Sequence, residues 1–196
     1  MAEGLLIIRL VVGGLLFAHG TQKLFGWYGG YGLDGTAGFF HSLGFRPGRQ
    51  YAAIAGASEA GGGALLVLGL LTPLGAAMVI GTMIAAAVSV HAPQGLWATN
   101  GGYELPLVNA AVAAGLGFTG GGAWSIDNAA NIPWTAGAGP GLAALLLAVI
   151  AFGITNMRRR QVIETEPQAA YPEEVLPADP AMADDGTIEE TDAARR

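Results

Sequence analysis

The chain contains no cysteine among its 196 residues. That excludes a disulfide, a thiolate metal site, a cysteine-ligated iron–sulfur cluster and a cysteine redox couple within the polypeptide. Charge is scarce as well: 12% of residues are charged against 52% hydrophobic, and the mean hydropathy is +0.46. Lysine and arginine number only 9 and form no basic surface of the kind that nucleic acids require. No Ser-His-Asp nucleophile set is suggested. The glycine runs carry no nucleotide signature either. Gly61-Gly62-Gly63 lies inside an apolar segment as a packing device, and the Gly137 to Gly141 run lacks the preceding strand of a dinucleotide site.

What is present is apolar and glycine-rich, with 32 glycines. Five segments are long enough to cross a bilayer: Leu5 to Phe25, Tyr51 to Leu71, Leu74 to His91, Tyr103 to Thr119 and Gly139 to Asn156. At a rise of about 1.5 Å per residue they reach roughly 25–32 Å, the thickness of the hydrocarbon core. The fold class expected is an all-α transmembrane helix bundle. The first span, with Glu3 ahead of it and Arg9 within it, is expected to be retained rather than cleaved as a signal peptide. Only Thr72-Pro73 separates the second and third spans, which predicts an antiparallel helical hairpin. Residues 26 to 50 read as an aromatic interfacial loop, with Trp27, Tyr28 and Tyr31, followed by a short amphipathic helix on the membrane surface that ends near Pro47.

The net charge of -6 averages two unlike parts. Ten of the 15 acidic residues, from Glu164 to Asp192, fall in the stretch 161–196, which also holds Arg195 and Arg196. Rich in proline and without apolar periodicity, this stretch reads as a disordered acidic tail. Lys23, Arg46 and Arg49 flank the first loop, and Arg158 to Arg160 follow the fifth span as a membrane anchor. By the positive-inside rule the N-terminus lies outside and the first loop and the tail lie in the cytoplasm.

Six ionisable residues lie within or at the ends of the spans: Arg9, His19, Lys23, Glu59, His91 and Glu104. Each would cost about 2.5–3.5 kcal/mol if it faced lipid at mid-depth, so they are expected to point inward and to find partners. Counting along alternating helices puts all but Arg9 in the cytoplasmic half of the bundle, with Glu59 roughly 12 Å into the second span. Arg9, Gly13, Leu16, His19, Gly20 and Lys23 form one stripe on the first span. Gly56, Glu59 and Gly63 form a matching small-residue face on the second, so Glu59 should meet His19 or Lys23. The bland alternative is that these residues only lock the bundle, with Lys23 snorkelling to the interface, His91 and Glu104 solvated at helix ends, and His41 exposed in the loop. Arg9 with Asp127 would make an outer structural latch. His19 and His91 offer a pair for haem, but one pair is a weak signal and haem is not expected. No metal site is expected.

The runs His19-Gly20-x-x-Lys23-Leu24-Phe25-Gly26, Phe39-x-x-x-Leu43-Gly44, Glu59-x-Gly61-Gly62, Leu68-Gly69-Leu70-x-Thr72-Pro73, Gly102-x-Glu104 and Trp124-Ser125-Ile126-Asp127 occur here in one order, with Arg9 ahead of them and His91 between. In this the chain resembles the DoxX family of small bacterial inner-membrane proteins, over about residues 5 to 128. The resemblance implies a four-helix membrane core over 1–128. It leaves a linker and an added fifth transmembrane helix over 129–160, and the tail over 161–196. It further implies an association with respiratory or sulfur redox chemistry, because the family is similar to the membrane subunit of thiosulfate:quinone oxidoreductase.

The leading expectation is therefore a multi-pass protein of the bacterial inner membrane, a subunit in quinone-linked redox metabolism or redox homeostasis. Its inner polar cluster would bind a quinone head group and move its protons. Glu59 would be the acid/base, His19 a proton relay and Lys23 a source of positive charge. His91, Glu104 and Trp27 would contact the head group, and Tyr28 and Tyr31 would line the approach with Trp27. The partners expected are the lipid bilayer, a soluble oxidoreductase and a second copy of the chain. Two other classes remain open: a noncatalytic scaffold that recruits soluble oxidoreductases, and a small proton-linked transporter.

Overall fold

A computed structural model describes residues 2–165, and all described regular elements are helical. Helix α1 spans Ala2–Phe25, α2 Gly32–Ser42, α3 Gly48–Leu68, α4 Thr72–Ala86, α5 Glu104–Thr119, α6 Ile126–Ala129 and α7 Ala138–Thr165. A single 3-10 turn, Trp27–Gly29, leads into α2, and α4 runs on into a π turn, Ala87–His91. Four helical stretches are long and apolar enough to cross a membrane: α1, α3, Thr72–Gln94 and α7. Helix α5 is apolar but only 16 residues long, about 24 Å at helical rise.

The exterior confirms what the solvent of this bundle is. Ile7, Val11 and Leu15 on α1, Leu105 and Val108 on α5, and Leu142, Leu146, Val149 and Ile150 on α7 are all exposed. In water such a surface would be untenable, whereas in a bilayer it meets acyl chains. Leu16, Leu66, Val79, Ile80, Ala113 and Leu116 form the buried core with Ala144 and Ala148. Helix α1 packs on α3, α3 on α4, and α4 on both α5 and α7.

Glycine sets the closeness of the α1–α3 crossing. A Cβ at Gly20 would lie 2.2 Å from the backbone nitrogen of Ala60, and one at Gly63 would lie 2.5 Å from the Gly13 carbonyl oxygen. Gly62, the neighbour of Gly63, faces Gly75, Met78 and Val79 of α4 instead. The Gly61-Gly62-Gly63 run is thus a packing device that serves two partners.

The boundaries at the α3–α4 reversal and at the end of α7 differ from the sequence reading. Helix α3 stops at Leu68 rather than at Leu71, because Gly69 takes φ 60° and ends it. The reversal is Gly69 to Leu71, and Thr72-Pro73 opens α4, where a missing N–H costs nothing. Helix α7 continues to Thr165, five residues into the stretch read as tail. Its extension has a packing reason: Arg159 and Ile163, one turn apart, both rest on the Leu43 to Phe45 turn. The remainder of the expected disordered tail, 166–196, lies outside the described residues.

Candidate functional site

The chain direction brings Lys23 at the end of α1, Arg46 and Arg49 at the start of α3, and Arg158 to Arg160 near the end of α7 to one end of the bundle. Of the seven lysines and arginines among the described residues, only Arg9 is elsewhere.

Near that end, Lys23 donates from Nζ to Oε1 of Glu59 across the α1–α3 seam. The glycine contacts at Gly20 and Gly56 draw the two helices together close beside it, so the same residues that pack the seam present the pair. Glu59 is 3% exposed and Lys23 30%. The ion pair therefore runs from the interior to the surface. The second carboxylate oxygen of Glu59, Oε2, is buried without a hydrogen-bond partner. An acceptor oxygen left open in a low-dielectric seam is costly in itself, and a donor group that reached it would relieve that cost. Thr36 of α2 donates to the Lys23 carbonyl at 3.3 Å, which ties the surface helix to the end of α1 beside the pair.

His19 does not join the pair. It is exposed on the outer face of α1 although its neighbour Gly20 is buried, so the expected three-residue cluster contains two members. His41 also departs from expectation: it lies on α2 and is partly buried, with its Cβ against the start of α3.

His91 and Glu104 organise a loop instead of meeting Glu59. His91 Nδ1 lies 2.6 Å from the Gly101 carbonyl oxygen, and Glu104 Oε2 accepts the Ala98 N–H at 2.9 Å. Backbone bonds from Tyr103 to Gly95 and from Glu104 to Leu96, at 3.0 and 2.9 Å, close the same loop. Trp27 is 52% exposed and packs on Phe25 with ring centroids 5.2 Å apart. Tyr28 and Tyr31 are more open still, at 70% and 72%. No cluster of three or more potential metal ligands occurs among the described residues.

At the opposite end, Arg9 and Asp127 are 1% and 2% exposed. They form a latch, but not by pairing with each other. Arg9 donates from Nε to the Leu66 carbonyl and from Nη2 to the Val67 carbonyl, both at 2.8 Å, covering the carbonyl end of α3. Its Nη1 donates to Gly121 and Trp124 at 2.5 and 2.9 Å. Asp127 accepts the N–H groups of Leu71 and Thr72 and the Thr72 hydroxyl at 2.7, 3.0 and 2.7 Å, capping α4. Ser125 in turn caps α6, accepting the Asn128 N–H at 3.1 Å, and so orients Asp127. Cation at a helix C-terminus and anion at a helix N-terminus each oppose the local helix dipole.

The sequence reading missed Arg159, which it took only as part of a basic anchor. Its Nε donates to the Leu43 carbonyl at 2.7 Å and its guanidinium sits 5.4 Å from the Phe45 ring centroid. The i, i+4 spacing of Arg159 with Ile163 is the signal that these residues share a packed face.

Residues 4–92 match the family model described as DoxX. The matched stretch runs from α1 to the π turn and includes Arg9, His19, Lys23, Glu59 and His91, whereas Glu104 and the Trp124 to Asp127 motif lie beyond it. No curated protein and no solved structure matches the chain.

Proposed function

From the premise that this chain is a DoxX-family membrane protein through residues 4–92, we propose that it is a membrane subunit of quinone-linked redox metabolism, with Glu59 and Lys23 as its proton-handling pair. The observation that carries the reading is the open Oε2 of a carboxylate that is otherwise buried and ion-paired. Quinone reduction consumes two electrons and two protons, so the head-group oxygens need a donor held in a dry site that can be resupplied from the surface. Glu59 takes up a proton at Oε2 and passes it to a head-group oxygen, twice per quinone with resupply from the surface, and Lys23, partly exposed, holds the opposing charge each time the carboxylate re-forms. Trp27, Tyr28 and Tyr31 offer an aromatic surface at the same end for an amphiphilic ring to approach.

With no cysteine of its own the chain cannot run a thiol couple, and we assign the electrons to a soluble oxidoreductase partner. By the charge asymmetry, the end bearing Lys23, Arg46, Arg49 and Arg158 to Arg160 faces the cytoplasm of a bacterial inner membrane, and the N-terminus faces outward. His19, exposed and unpaired with Glu59, has no part in the proton path. Glu59→Gln keeps the size and polarity of the side chain but cannot accept or release the proton. In membranes it should insert at native levels and lose quinone-dependent activity. Full activity in that variant would contradict the assignment.

A further inference from the structure

Glu59 is not alone in presenting an open polar group to the middle of the bundle. On α5, Pro106, Asn109, Ala113 and Leu116 follow one another at intervals of three and four residues, so they share one helix face. Pro106, Ala113 and Leu116 are buried, and Ala113 and Leu116 pack in the core with Leu16, Val79 and Met83. Asn109, partly buried between them, therefore points into the bundle rather than to lipid. Its carboxamide has no hydrogen-bond partner among the described residues. A carboxamide that faces a bundle interior unpaired is a cost, as the open Oε2 of Glu59 is.

Helix contacts set these two open groups across from one another. On α3, a Cβ at Gly56 would meet Gly20 and Leu24 of α1, and one at Gly62 would meet Gly75, Met78 and Val79 of α4. Glu59 is three residues from each, so it projects between the two directions, toward the diagonal neighbour. That neighbour is α5, which packs on α4 and touches α1. Depth follows from the same contacts. Gly62 lies 3.1 Å from Met78 and Gly117 of α5 lies 3.3 Å from Ala76, both measured from an added Cβ. Helices α3 and α5 both run against α4. Counting three residues from Gly62 and eight from Gly117 puts Asn109 about one helical turn, roughly 5 Å, nearer the basic end than Glu59.

The space between α1 and α5 is graded along the bundle. On the flank of α5 that faces α1, Leu116 is 2% exposed, Asn109 partly exposed and Leu105 63% exposed. On α1, Leu16 is 1% exposed and Lys23 30%. The gap is closed at Leu16 and opens toward the basic end, with Lys23 and Asn109 on its two walls and Glu59 at its closed end. We propose that Asn109 is the second head-group ligand of this site. Its amide N–H donates to the oxygen at one end of a para-quinone ring while the opposite oxygen lies at Glu59 Oε2. This rests on the quinone reading above and extends it to a residue beyond the matched stretch 4–92. A para-quinone carries an acceptor at each end, and a site that buries the ring leaves neither unpaired without cost. The amide holds the oxidised ring and transfers no proton. A ring that leaves Asn109 once its first proton has arrived can turn its second oxygen to Glu59, so both protons still pass through that carboxyl group.

The test titrates a short-tailed 1,4-benzoquinone into the full chain in mild detergent and records the infrared carbonyl bands of the bound ring. In the native protein both carbonyl stretches should lie below their positions in the free quinone. Asn109→Leu keeps the size of the side chain without its donor. It should weaken binding roughly fivefold, the worth of one neutral hydrogen bond, and one of the two bands should return to the free position. Native affinity with both bands still lowered in Asn109→Leu would overturn the proposal and leave the Glu59 reading standing. Weaker binding with both bands still lowered would mark a packing defect and overturn it as well. A folded native protein that binds no quinone would overturn the Glu59 reading and this proposal with it.

Discussion

Asp127 accepts the backbone N–H of Leu71 at 2.7 Å, and Leu71 is a non-glycine residue held at φ 47°. A left-handed leucine costs about 1–2 kcal/mol, so the carboxylate is holding a reversal that the local backbone resists. It bonds three groups at once while buried. Asp127→Ala should lower stability by about 3 kcal/mol, since it strands buried donors. Leu71→Gly removes the steric cost and should raise stability by about 1 kcal/mol. Thermal unfolding in detergent measures both, and opposite signs are the expected result.

Arg9 serves the other side of the same reversal, through carbonyls that diverge in direction. A lysine keeps the charge but gathers its donors at one point, so it cannot reach Leu66, Val67, Gly121 and Trp124 together. Arg9→Lys should therefore cost about 3 kcal/mol of stability. Because Arg9 is at the far end from Glu59, the fraction that remains folded should match the native chain in quinone content. Loss of quinone from folded Arg9→Lys protein would show that the two ends are not independent.

The α1–α3 seam gives a sharper contrast. A Cβ at Gly20 meets the Ala60 backbone at 2.2 Å, whereas one at Gly14 meets nothing within 4 Å. Gly20→Ala should destabilise by about 3 kcal/mol and separate Lys23 from Glu59, while Gly14→Ala should be neutral or slightly stabilising. Comparable melting temperatures for the two variants would contradict the packing described here.

Much of this was readable in advance because a bilayer constrains sequence so strongly. The spans, the surface helix and the glycine seam all follow from length and small-residue spacing, and a buried Glu59 needed a cation on the facing helix. His19 was misplaced for a geometric reason: at about 100° per residue it stands a full step from Gly20, at the edge of the stripe, where a small rotation decides between seam and lipid. Arg9 was legible as a latch but its partners were not, since they are backbone carbonyls that leave no trace in side-chain identity. The two ends of the 92–103 loop, His91 and Glu104, looked like site residues because charge at a helix end reads the same whether it serves a ligand or a turn. The π turn of Ala87–His91 has no sequence signal that a helical period could reveal.

The central claim is that Glu59, with Lys23, forms a quinone site. The most direct measurement is the quinone content of the purified, folded protein in mild detergent, by extraction and absorbance, for the native chain, Glu59→Gln and His19→Gln. Quinone retained by the native protein and by His19→Gln but lost from Glu59→Gln is the expected result. Equal quinone in native and Glu59→Gln protein, or none in a folded native sample supplied with quinone, would contradict it.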